Sequence, residues 1–331
     1  MFSRFLVFLF LGVATIQAIS VKRVAKTKCP AGFTGELCDV PICNPPGHAN
    51  FSSDGQSIAF FVHDSVTTIQ MIQTMKSQMK TIIDQAVKQS PKWLIQFDLT
   101  IFDDLYIKSL GGTRSPDEFI QTFDEFAAGN SHNRSSCNDL PVLAAIYIYL
   151  YTTNLPKNAN IYIFMNGIPR IDSNLFETVQ DLIVATHAKV YFIQTNAYPC
   201  GQPLTNPGSS LMWDIASISG GQVFVIAAKN TDEVMKIIPF HYKSSIIAQQ
   251  SFADCSEGQS ITFPIDSQTK ILNVLINGEL ANDSPKYFMP DGKLLRYVDN
   301  IFTDYSANTR ADEFNCDTDF GIVEQFLFKI S

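Results

Sequence analysis

Asp64 is followed at once by the hydroxyl of Ser65, and two more hydroxyls stand at Thr67 and Thr68, with Val66 between them. A carboxylate and hydroxyls so spaced can hold a divalent cation through hard oxygen ligands, provided neighbouring loops add further oxygens. His63 precedes the acid, so an acid–base pair also comes into question. Adjacent residues of an extended chain point to opposite faces, however, and His63 and Asp64 do not make a dyad. No G-x-S-x-G elbow, H-E-x-x-H pair or glycine-rich phosphate fingerprint is present, which excludes the commoner hydrolase, metalloprotease and dinucleotide sites. Cys43 has no base identified for it and reads as a disulfide partner rather than a nucleophile. The expectation is a binding protein, not an enzyme, with no catalytic residues.

The residues before His63 say what carries the acid. Ile58–Val62 (IAFFV) is apolar without alternation, the pattern of a strand buried on both faces in a parallel sheet. In an open α/β sheet, the loop after such a strand lies in the crevice where ligands bind. Further strand candidates are 93–97, 105–109, 160–165, 189–194 and 222–227. A helix carries Ile69, Ile72, Met75, Met79, Ile82 and Ala86 on one face, and its methionines read as core. Another opens with the capping box Ser115-Pro116-Asp117-Glu118, and others are expected at about 139–152, 174–187, 209–219 and 231–243. Gly220-Gly221 end the helix that contains Trp213. The second and third strands are too close for a helical crossover, so 105–109 is expected to be an antiparallel edge strand. The fold class is therefore α/β, a doubly wound, mostly parallel six-stranded sheet with helices on both faces.

The flanks differ from this core. Arg4, the apolar run 5–13, and Ala14 and Ala18 read as a secretory signal peptide over 1–18, cut after Ala18 or else after Ala14. That run is far shorter than the roughly 20 residues of a spanning helix. The other expectations follow: a secreted, extracellular protein, no membrane span, and disulfides among the seven cysteines. Seven is odd, so one thiol is free or joins two chains. N-glycosylation sequons at Asn50, Asn133 and Asn282 fit secretion. A formal net charge of −8 argues against nucleic acid as a partner. Cys29 and Cys38, with Gly32 and Gly35 between them, suit a tight turn closed by one disulfide, and 44–56 reads as a linker. From about residue 249 short alternating segments, at 260–264, 270–276, 285–289 and 321–330, mark a small antiparallel β-sandwich over 249–331. Cys255 and Cys316, near its ends, are its expected disulfide.

Several segments follow one another along nearly the whole region: FFVHDSVTT (60–68), WLIQFDLTIFDDLYIKS (93–109), RSSCNDLPVLAAIYIYL (134–150), IYIFMNG (161–167), KVYFIQTNAYPC (189–200) and IASISGGQVFVI (215–226). Together they resemble a von Willebrand factor type A domain, in the version that opens hemicentin-like extracellular matrix proteins. The resemblance covers 57–248. PIDSQTKILNVLINGE and MPDGKLL look like the β segment that follows it in those proteins, and CPAGFTGELC, within 19–43, resembles the last turn of an EGF-like module. It also implies a Cys137–Cys200 disulfide, leaving Cys43 unpaired or intermolecular, as in a covalent dimer.

Family domains bind Mg²⁺ or Mn²⁺ through D-x-S/T-x-S, a threonine of a second loop and an acid after the fourth strand. Asp64 matches the first acid and Thr68 the last hydroxyl, but Val66 replaces the middle one and Asn166 the third-loop acid. Ser135, Ser136 and Asp139 lie near the second-loop position, with no assignable threonine. The resemblance therefore implies a degenerate site, with at most weak Mg²⁺ or Mn²⁺ and no other cofactor. Asp64 is then expected to cap the next helix or bond loop backbone. The implied function is adhesion to, or recognition of, an extracellular protein or glycan, in matrix or in innate immunity. A structural matrix component and a metal-dependent adhesion module are the alternatives.

Overall fold

The computed structural model describes residues 55–89, 94–129, 134–152 and 158–242, together with strand backbones at 33–34, 40–41, 259–263, 271–277, 286–288, 299–304, 309–315 and 326–330. The signal peptide, Cys29, Cys38, Cys43, Cys255, Cys316 and the three sequon asparagines lie outside the described residues.

Six strands form the central sheet: β1 (Gln56–His63), β2 (Leu94–Phe102), β3 (Ile107–Thr113), β4 (Asn160–Met165), β5 (Lys189–Gln194) and β6 (Val223–Val225). Their order is β3-β2-β1-β4-β5-β6, and every pairing is parallel except β2 with β3. β1 lies inside the sheet and feeds both faces. Ile58, Phe60 and Val62 pack with α1 (Ile69–Gln89) and α2 (Pro116–Ala128). Ala59 and Phe61 pack with α3 (Val142–Thr152), α4 (Ser173–Thr186) and α5 (Pro207–Ser219). This is why the run shows no alternation: both sets of side chains are fully buried. Met71, Met75 and Met79 are likewise fully buried core residues.

Several details depart from the sequence reading, among them β2, which runs on to Phe102 rather than ending at 97. The edge strand runs over 107–113 rather than 105–109, because the Asp103 carboxylate takes the amides of Leu105 and Tyr106 at 2.7 and 2.9 Å and folds them into the turn. Ile69 is 40% exposed instead of core, whereas Met71 and Ile72 in the same turn are fully buried. The last helix stops at α6 (Thr231–Met235) and gives way to a 3₁₀ turn, Ile238–Tyr242, that contains the helix-breaking Pro239. Half of the capping box forms at α2: Ser115 Oγ accepts from Glu118 N, but the Glu118 carboxylate takes the Thr113 hydroxyl. α5 ends as expected, with Gly220 left-handed at φ 68°. Gly221 comes so close to β5 that a Cβ would lie 1.9 Å from Val190 O. At the opposite end of the sheet from Asp64, the Tyr242 hydroxyl donates to Ser57 O at 3.4 Å.

Beyond residue 258 the described strands are all antiparallel: β7 (Gln259–Phe263), β8 (Ile271–Asn277), β9 (Lys286–Phe288), β10 (Asp299–Asp304), β11 (Thr309–Asn315) and β12 (Phe326–Ile330). They form two three-stranded sheets, β8-β11-β10 and β9-β12-β7. β10 and β11 are additions to the sequence reading.

Candidate functional site at the carboxyl rim

The loops after β1, β2, β4 and the one before α3 meet around Asp64. Its amide donates to Phe102 O at 2.8 Å, which extends the β1–β2 pairing into the loop. Its side chain is buried, and the Tyr106 hydroxyl donates to Oδ2. The phenol is pushed well up from its ordinary range, first by burial and then by this bond to the carboxylate.

Ser65, not Asp64, caps the turn that follows. Its Oγ accepts from Thr67 N at 3.3 Å, and the Thr68 side chain returns a bond to Ser65 N at 3.2 Å. The capping role expected of the acid thus falls to its neighbour. Thr68 Oγ1 also donates back to His63 O at 2.7 Å, and so faces backbone. Val66 N donates to Arg134 O at 2.8 Å, and its side chain stands exposed.

His63 ties three loops together. Its ring stacks on Phe102 and is fully buried. Nδ1 accepts the Asn166 amide at 3.3 Å, which assigns the proton to Nε2, and Nε2 donates to Ser136 Oγ at 3.0 Å. Burial holds its pKa down to about 4, against the opposing charges of Asp64 and Asp104. Asn166 adds a longer bond, Nδ2 to Thr67 O at 3.4 Å. Ser135 and Asp139 are exposed, away from this network.

A second set of contacts fixes the β2–β3 turn. Arg134 Nε lies 2.9 Å from the buried Asp103 Oδ2, an ion pair without an aligned hydrogen bond, and Nη2 reaches Asp104 Oδ1 at 3.2 Å. Arg170 donates to Asp104 O at 3.5 Å. Cys137 and Cys200 are disulfide-bonded with Cα atoms 5.6 Å apart, joining the loop before α3 to the loop after β5. Gly167 has no room for a side chain, since a Cβ would lie 2.7 Å from Cys137 O.

The donor set does not fit a magnesium or manganese centre. Octahedral coordination needs several oxygens free to face the ion. Here one Asp64 oxygen accepts a hydrogen bond from the Tyr106 phenol, Thr68 faces backbone, Val66 offers methyls, and Asn166 turns an amide N–H inward. Among the described residues no group of three or more His, Cys, Asp or Glu side chains could hold a metal ion. Sequence reasoning placed Asp64, Thr68 and Asn166 on one rim, and they do meet there. It missed Tyr106, Arg134 and the bridging role of His63. The only available signal was the doublet Asp103-Asp104 before Tyr106, a turn sequence that could have been read as such.

A doubly wound sheet with an antiparallel edge strand and a degenerate acid-hydroxyl loop after its central strand is the frame of an A domain. Residues 57–228 match the von Willebrand factor A domain family, 172 of 331 residues, and the chain belongs to it. Protein irg-7 of Caenorhabditis elegans is 22% identical over 269 residues, which cover 79% of this chain and 12% of that protein. This chain therefore corresponds to a small part of that relative's length. Among solved structures, proximal thread matrix protein 1 from the mussel byssus is similar at 16% identity and a TM-score of 0.42, over 58% of this chain and 47% of that one. The pilus adhesin SpaC from Lactobacillus rhamnosus GG is similar at 10% identity and a TM-score of 0.41, over 85% of this chain and 39% of that one.

Proposed function

We propose that this protein is a secreted, extracellular adhesion or recognition module that grips a protein partner with the carboxyl rim of its A domain, without a metal ion. One observation carries the reading. Exposed apolar side chains stand on four separate loops at that rim: Val66 (41%) after β1, Leu105 (69%) after β2, Ile171 (57%) after β4 and Tyr198 (65%) after β5. Exposed apolar groups gathered on one face commonly mark an interaction site. The Arg170–Asp104 contact links the loops carrying Ile171 and Leu105, so the apolar groups are held on a tied scaffold.

The same features favour binding over catalysis, since both ring nitrogens of His63 are engaged in bonds that hold loops together. Membership of the A-domain family supports protein binding in general; the hemicentin-like arrangement, with an EGF-like fragment before and a β domain after, extends the reading to matrix or host defence. The test is binding of the full chain to arrayed extracellular proteins and glycans, with and without EDTA. Binding that survives EDTA and falls at least tenfold in Leu105→Asp is expected. Loss in EDTA with recovery in Mn²⁺ would overturn the metal-free reading, and full binding by Leu105→Asp would overturn the rim.

A further inference from the structure

Beside the rim lies an open groove of about 550 Å³, lined by the loop after β5 and by α5. Tyr198, Leu204 and Thr205 form one side, and Ser210, Trp213 and Asp214 the other. Trp213 is 42% exposed, an unusual position for an indole on a helix whose neighbours Leu211 and Met212 are buried. No lysine, arginine or histidine lines the groove. Among the described residues, the Asp214 carboxylate, the Trp213 indole N–H and the Tyr198 hydroxyl have no protein partner.

The walls are fixed in advance. Asn196 Oδ1 accepts from Tyr198 N at 2.9 Å, and Gly201 N donates to Tyr198 O at 3.0 Å. Asn206 caps α5 by accepting from Gly208 N at 2.9 Å. The Cys137–Cys200 disulfide anchors the loop between them. A groove already ordered loses little entropy when it is filled.

Two exposed electron-rich aromatic rings beside a carboxylate without a partner among the described residues have the chemistry that attracts a cation. A sugar would need a denser set of fixed donors and acceptors, and Ser210 already spends its hydroxyl on Asn206 O at 3.3 Å. We propose that this groove receives a lysine or arginine side chain presented by a protein partner. The groove adjoins the Asp64 rim through Tyr198, which belongs to both, and its Trp213–Asp214 wall can be measured separately.

The test is a titration of the full chain with acetyl-Gly-Arg-Gly-Arg-Gly-amide and its lysine counterpart, read from the Trp213 indole N–H by NMR. Trp213→Phe assigns that signal against Trp93. The control probes are the Glu-containing peptide and the methyl glycosides of glucose, galactose and N-acetylglucosamine. Saturable shifts with the basic peptides only are expected. Asp214→Asn should weaken binding about two- to fivefold, and Trp213→Ala about tenfold, with melting temperatures unchanged. Leu105→Asp should leave the titration as it is, which separates this site from the rim. No saturation by about 20 mM peptide, equal response to the acidic peptide, preference for a glycoside, or an unaltered Asp214→Asn would each overturn the proposal.

Discussion

Tyr106→Phe removes a single oxygen from the rim and leaves the ring in place. The carboxylate it serves is only 1% exposed, so water has little access to replace the lost donor. A hydrogen bond to a charged group contributes about 1.5–3 kcal/mol. Asp64 keeps other interactions, so we expect a loss of about 2 kcal/mol, equivalent to about 4–8 °C in a domain of this size. Urea unfolding followed by tryptophan fluorescence and circular dichroism measures it directly. Adding Asp64→Asn closes a double-mutant cycle, and the coupling should be about 1 kcal/mol, since a neutral acceptor bonds more weakly. A Tyr106→Phe protein within about 0.5 kcal/mol of wild type would refute the argument. Millimolar Mg²⁺ or Mn²⁺ should not restore what the substitution removes, because Val66 and Asn166 still fail as ligands. Recovery with Mn²⁺ would show that the phenol alone had blocked a competent cation site.

His63 is neutral when folded, with its pKa held down to about 4 from 6.5, so its contribution is fully present above pH 6.5 and is lost as pH falls toward 4. The amount is about 3 kcal/mol. Its ring protons should show no titration near pH 6.5 by NMR, and a midpoint there would sink the claim. Asp98 works in the opposite sense: burial pushes it up to about 6 from 3.8, against hydrogen bonds from Gln96 and Tyr149, so its ionisation costs stability as pH rises from about 4 to 6. The net acid slope should therefore be shallower than His63 alone would give, and it should steepen in Asp98→Asn. Replacing Cys137 and Cys200 by serine opens a link spanning 63 residues, with an expected loss of about 4 kcal/mol by chain entropy in chemical unfolding. Gly221→Ala should cost about 3 kcal/mol or more, because the methyl meets backbone at Val190 rather than a side chain that can move; a melting temperature near wild type would contradict the close approach.

The layout of the sheet was legible because parallel strands buried on both faces leave continuous apolar runs and a short hairpin connection leaves no room for a helix. The true ends of β2 and β3 were not. Asp98 interrupts the apolar pattern of β2, yet the strand continues because Gln96 and Tyr149 satisfy the carboxylate at 3.1 and 3.0 Å. Leu105 and Tyr106 look like strand residues but belong to the turn that Asp103 organises. β10 and β11 escaped notice since Asp299–Asp304 and Thr309–Asn315 are rich in charge, which periodicity counts against a strand. At the site, Asp64, Thr68 and Asn166 could be placed by their order after strands. Tyr106 could not, because its partner lies 42 residues away and the contact exists only once the hairpin curls over the first loop.

The bond from Tyr242 to Ser57 has a mechanical meaning. It puts the points where the chain enters and leaves the A domain side by side, at the pole opposite the apolar rim. Tension carried along the chain would load that base and bypass the loops at the far pole. The rim loops would then keep their geometry while the chain is pulled.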